Sequence, residues 1–194
     1  MNTLAQIKTA KMTKKILLSF ILLCFFKFQA QDNNTKTTFG FKGGFNKSIV
    51  DGKEPDGTRT GYIGYELYGS FFADTQISQD WNLENEILFS YTDDYHFIEI
   101  PVHLKYRIKE KWFILLGPKL DFIADNDNDD FEAGYRFKNF GVSGEIGIQY
   151  HISKRFFAET RYSRSFTAQV DDLALDIYGG KRHTLRVGLG IKFN

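Results

Sequence analysis

The stretch Thr184 to Asn194, TLRVGLGIKFN, constrains the fold most. Leu185, Val187, Leu189, Ile191 and Phe193 alternate strictly with Thr184, Arg186, Gly188, Gly190 and Lys192. A period of two puts the apolar side chains on one face of an extended strand and the small or cationic ones on the other. Seven upstream segments repeat the pattern, at about residues 38–47, 59–72, 80–91, 95–108, 111–123, 138–151 and 154–167. Eight such strands make a sheet that can close on itself and leave no unpaired edge. The expected fold is all-β, an eight-stranded antiparallel up-and-down barrel over residues 38–194.

Alternation alone leaves the barrel's orientation open. The polar face carries Glu66, Glu84, Glu86, Glu99, His103, Lys105, Arg107, Lys119, Asp121, Glu145, Glu159, Arg161, Arg186 and Lys192. In a soluble, lipocalin-like barrel these would coat the outside, and the Phe, Trp and Ile side chains would line a cavity for a small apolar or lipid ligand. In a transmembrane β-barrel they would form an ionic network in the lumen, since buried charge is tolerated only when paired and hydrogen-bonded. Aromatic residues near the strand ends (Trp81, Tyr91, Tyr106, Trp112, Tyr150, Tyr162) fit interfacial girdles. The tight turns at Lys109–Glu110 and Ile152–Ser153 fall on one side. The long connections 48–58, 124–137 and 168–181 fall on the other. Short periplasmic turns with long outer loops are the pattern of outer-membrane barrels, and the transmembrane reading follows.

The N-terminal segment reads as targeting. Lys14 and Lys15 precede an apolar run from Ile16 to Phe26, followed by Lys27 to Gln31, which predicts a signal peptide over residues 1–30 cleaved after Ala30. Met12 offers an alternative start. Residues 31–37 form a polar lead-in. Cys24 lies inside the apolar run, but the neighbouring Leu23, Phe25 and Phe26 do not suit a lipidation site, so the exported chain is expected to lack cysteine and with it any disulfide or thiolate metal site. Cleavage removes Lys8, Lys11, Lys14, Lys15 and Lys27 and no acid, taking the formal charge from +1 to −4. A mildly acidic chain is not a nucleic-acid binder.

No converging catalytic set emerges. His96 and His183 are expected at the outer rim, His103 in mid-lumen and His151 at a periplasmic turn, with no Ser, His and acid cluster of the kind a lipid hydrolase needs. Asp125, Asp127 and Asp129 form a weak candidate for a metal site. Counted from Asp125, the sixth position is Asp130 rather than Gly and the twelfth is Arg136 rather than Glu, so the run departs from the calcium-loop pattern. No cofactor is expected. An eight-stranded lumen is just wide enough for side chains to fill, which argues against a diffusive pore. Pro101 and Pro118 fall within strands, where each removes an amide donor, and a bulge is expected at them.

The successive segments FGFKGGFN, ENEILFSY, FIEIPVHLKYRI, WFILLGPKLDF, FFAETRYSRSF and TLRVGLGIKF resemble the strands of the outer-membrane β-barrel family of Bacteroidetes that includes PorT-like proteins. EIP with its apolar strand, followed by LLGP, carries most of the likeness. The resemblance implies an eight-stranded barrel resident in the outer membrane. The expected role is non-enzymatic, structural or accessory, with outer-membrane lipid and lipopolysaccharide as surroundings and any protein partner at the extracellular loops. The alternatives are the ligand-binding barrel and a lipid-acting enzyme that would depend on His103.

Overall fold

A computed structural model describes residues 36–91, 96–123, 135–137, 140–172 and 177–193. The strands are β1 (Thr37–Lys53), β2 (Arg59–Gln76), β3 (Trp81–Tyr91), β4 (His96–Lys109), β5 (Trp112–Ile123), β6 (Tyr135–Phe137), β7 (Phe140–His151), β8 (Phe156–Ser165), β9 (Val170–Asp172) and β10 (Ile177–Lys192). Eight of them pair antiparallel in the order β1-β2-β3-β4-β5-β7-β8-β10, and β1 pairs with β10 to close the barrel. The short strands β6 and β9 form a separate ribbon on the outer part of β10. The expected eight-stranded, up-and-down architecture is the one observed.

The register fixes the geometry. A row drawn perpendicular to the strands runs from Lys47 through Leu185, Tyr162, Ile146, Leu116, Leu104, Leu83 and Thr75 and returns to β1 at Thr37, ten residues from where it began. With strands about 4.8 Å apart and about 3.3 Å per residue, that stagger tilts the strands by about 40° and gives each residue about 2.5 Å of height along the barrel axis.

The faces divide as the alternation requires. Tyr65 is 75% exposed and Phe45 68%, and Phe41, Phe89, Leu116, Ile146 and Leu189 likewise point outward. Lys42, Glu84, Glu99, His103, Lys119, Arg161 and Arg186 are buried in the lumen. The apolar side chains therefore coat the outside, which corrects the lipocalin-like alternative, where they would line a cavity. On the lumen side a Cβ at Gly188 would overlap the Tyr68 hydroxyl, and Cβ atoms at Gly40 and Gly190 would overlap the rings of Phe72 and Phe157. The tips of inward aromatics thus reach over glycines, filling a space that no other residue would leave open.

Three expectations are corrected. The loop expected at 48–58 is mostly strand: β1 continues to Lys53, and only Glu54–Thr58 turns, closed by Gly57 N–H to Glu54 O (2.9 Å) with Gly57 at φ +88°. In that turn Asp56 accepts the Thr58 amide at 2.8 Å, which holds its carboxyl below the usual carboxylate range. The connections expected at 124–137 and 168–181 contain β6, β9 and the start of β10. Finally, Pro101 and Pro118 sit in gaps of the β3–β4 and β4–β5 ladders without a register shift there; the β4–β5 irregularity lies at Arg107–Lys109 instead. Gly117 lets the β5 backbone approach Val102 so closely that a Cβ would overlap its carbonyl oxygen, so the wall stays continuous where amide donors are missing.

Candidate functional site

The lumen holds a connected set of ion pairs running from the periplasmic mouth to the outer end. At the mouth, Lys192 on β10 reaches Asp74 (3.3 Å), and Lys105 on β4 bridges Asp74 (2.9 Å) and Glu84 (2.8 Å). Lys42 on β1 contacts Glu84 (2.5 Å), Glu86 (3.0 Å) and Glu159 (3.2 Å). At mid-height Arg161 spans Glu86 (3.0 Å), Glu145 (3.0 Å) and Glu159 (2.7 Å), and His103 Nε2 lies 3.0 Å from Glu145. Higher still, Arg186 joins Glu145 (3.4 Å) to Glu99 (2.8 Å), and Glu99 also takes Lys119 (2.6 Å) and Arg182 (2.9 Å). Arg182 continues to Glu66 (2.5 Å), and Lys119 to Asp121 (3.0 Å), whose carboxylate accepts the Ser143 hydroxyl.

Aromatic rings pack against both ends of this column. Phe72 and Phe157 meet edge to face at 5.6 Å under Lys42, whose Nζ stands 5.0 Å from the Phe72 centroid. His151 packs on Phe113 (4.5 Å) and Phe157 (5.9 Å) beside them. At the outer end the Arg182 guanidinium covers Phe97 at 3.9 Å. Between the layers, Tyr68 is held between Arg186 (4.9 Å) and Arg161 (5.9 Å). Such ring contacts suit cations removed from water.

Of the residues singled out from sequence, Glu66, Glu84, Glu86, Glu99, His103, Lys105, Lys119, Asp121, Glu145, Glu159, Arg161, Arg186 and Lys192 all fall in this column. Arg107 does not join it. It sits half-buried at the mouth with its guanidinium 5.6 Å from the Phe113 ring and no ion-pair partner among the described residues. Asp125, Asp127 and Asp129 lie outside the described residues, as does the whole of the expected signal peptide. Three members escaped the sequence reading. Lys42 lies on the polar face of β1 and was visible by alternation. Asp74 fell in a stretch read as a connection. Arg182 lay just before the expected start of the last strand, although it keeps the phase of Thr184 and Arg186.

Glu84, Glu86 and His103 come close enough to hold a metal ion. Their oxygens are already taken by Lys42, Lys105 and Arg161, so an ion would have to displace three buried cations. That donor set does not fit a metal. What the column can do is fill the lumen and tie distant strands together: Arg161 and Glu86, for example, are 75 residues apart.

No curated protein matches the sequence. Among solved structures the chain is similar to Ail, the attachment invasion locus protein of Yersinia pestis, in complex with the heparin analogue sucrose octasulfate. The identity is 15%, covering 81% of this chain and 99% of that one, with a TM-score of 0.50. It also matches the outer membrane protein OprG from Pseudomonas aeruginosa at 14% identity, covering 82% of this chain and 97% of that one, with a TM-score of 0.45. At such identities the likeness to Ail concerns the fold, and the match to OprG adds nothing to it. The family model described as outer membrane protein beta-barrel domain matches residues 18–193, and the chain belongs to that family.

Proposed function

We propose that this outer-membrane barrel acts without catalysis, in a structural or accessory role exerted through its extracellular end. The observation that carries the reading is the connected ion-pair column, with aromatic rings packed at its two ends, in which the described lumen side chains are charged and paired with one another rather than lining an apolar chamber. The outer ends of β1, β2 and β10, with the ribbon of β6 and β9, are then the surface on which partner specificity rests. Lipid and lipopolysaccharide surround the wall, the segment 1–30 is a signal peptide removed on export, and the chain is akin to PorT-like barrels of Bacteroidetes. The ligand-binding alternative is disfavoured because the lumen-facing side chains are charged and already paired.

Photo-crosslinking in the native host tests the role. A crosslinking residue at Glu54 or Asp56, in the outer turn, is expected to give a defined protein adduct, and one at Ser153, in a periplasmic turn, none. The reverse pattern would place the working surface in the periplasm. N-terminal sequencing of the exported protein checks the cut after Ala30.

A further inference from the structure

Apart from Asn85 on β3 and Thr160 on β8, the described outward face of the barrel is apolar or glycine between its aromatic girdle and the outer rim, where three adjacent strands change character. Because the register is staggered by ten residues over eight strands, residues at one height differ from a perpendicular row by about 1.25 residues per strand. This correction can be checked at the periplasmic rim. It brings Trp81, Tyr106, Trp112, Tyr150, Phe156 and Phe193 to one level, within about two residues, as an aromatic girdle requires. The same correction at the outer rim, about 20 Å higher, aligns Lys47 on β1, His183 on β10 and Arg164 on β8. At that height the other five strands present Val142, Phe122, Ile98, Tyr91 and Leu67 with Tyr65. Among the described residues, the Lys and Arg side chains at this height are therefore confined to one sector of the wall, β8-β10-β1.

Lys181 stands two residues farther out on the same face of β10, paired in register with Asp51 of β1. Arg164 pairs directly with His183, whose ring stacks on Tyr162 (6.5 Å, 3°) and whose Nε2 meets Asp51 at 3.3 Å. Asp51 is the one acid among the described outward-facing side chains of β8, β10 and β1. Lys47, Arg164 and Lys181 have no ion-pair partner among the described residues. Directly below them the wall is Phe45, Tyr162, Leu185, Val187 and Leu189, all exposed. A cationic row at the interface joined to an apolar wall beneath it is complementary to one chemistry, an amphiphile with a phosphate-bearing headgroup and acyl chains.

We propose that the outer sector of β8, β10 and β1, with Lys47, Arg164 and Lys181 as its phosphate-binding side chains, holds the phosphorylated headgroup of an outer-leaflet lipid whose acyl chains lie on Phe45, Leu185 and Val187. The site rests on residence in the membrane and not on the role assigned to the loops.

The test uses the barrel refolded in neutral detergent and titrated with lipid A bearing both phosphates, with the same lipid dephosphorylated, and with inorganic phosphate, bound lipid being counted by native mass spectrometry. Phosphorylated lipid A is expected to bind at least tenfold more tightly than the dephosphorylated form. The K47Q/R164Q/K181Q variant is expected to lose that preference, while K53Q/R59Q, at the outer hairpin, keeps it. Equal binding of both lipids, or an unchanged preference in the triple variant, overturns the site. Competition by millimolar inorganic phosphate overturns the assignment to a lipid. Heat-modifiable gel mobility reports folding of each variant, and if the triple variant fails it, K47Q and K181Q singly are each expected to weaken binding about threefold, with K47R and K181R restoring it. A wild-type barrel that folds in plain buffer would remove the membrane premise, a failure distinct from loss of lipid preference.

Discussion

Glu99 is the residue on which the outer half of the column turns. Its carboxylate takes Lys119, Arg182 and Arg186 together and accepts the Ser90 hydroxyl at 3.1 Å, and it is fully buried. Three cations drawn from two strands, Lys119 on β5 and Arg182 and Arg186 on β10, are neutralised at one point, so removing the charge strands them without water. Glu99→Gln is expected to cost about 3–5 kcal/mol, the usual range for breaking a buried pair. Urea unfolding followed by gel mobility measures it, and a loss within error of zero would mean that water already screens the site. Gly188 is a second such point, through space rather than charge. Gly188→Ala drives a methyl into Tyr68, which the guanidinium groups of Arg161 and Arg186 hold in place. The expected cost is about 1–3 kcal/mol. Tyr68→Phe in the same chain, by removing the hydroxyl that the methyl meets first, is expected to return part of it; purely additive losses in the double-mutant cycle would break the link.

At the scale of strands, legibility followed the solvent. Within the membrane the two faces of a strand meet opposite environments, so alternation in segments such as Ile98 to Tyr106 reports both the strand and its facing. Beyond the rim the outward face meets water rather than lipid and turns polar, so the alternation fades from the sequence, which is why Ser48 to Lys53 read as loop although Ser48 and Val50 stay buried and the stretch continues β1 and pairs in full with β2. Pairing partners were illegible for a different reason. Which lumen cation meets which carboxylate depends on the ten-residue stagger, and no short-range feature of the sequence encodes it. Arg182 was lost to the first cause, and its bond to Glu66, 116 residues away, to the second. The outer hairpin is consequently separable from the barrel. Val50 and Tyr62 are register partners, so replacing residues 51–61 with Asn-Gly joins them through a two-residue turn that suits hairpins. The shortened protein is expected to keep its heat-modifiable mobility. Failure to fold would show that the extension is needed to register β1 against β2 and β10.

For the whole molecule, the stagger and strand number set a cylinder whose interior side chains alone can fill. This chain fills it with charges of both signs, which the outward apolar coat permits because buried pairs in the lumen never face lipid. A column of this kind blocks solutes for as long as its middle layer holds, and that layer is Arg161, Glu145 and Arg186, with His103 beside them. The refolded protein is therefore expected to give no steady conductance in planar bilayers. The E145S/R161S/R186S variant removes two positive charges and one negative and replaces three long side chains by short ones, leaving Glu86, Glu99 and Glu159 to line a wetted passage between the Phe72–Phe157 floor and the Arg182–Phe97 cap. Where that variant retains heat-modifiable mobility, small cation-selective currents are expected from it. Currents of equal size in the wild type would mean that the column opens spontaneously, and a silent variant would assign the block to the aromatic layers at the two ends.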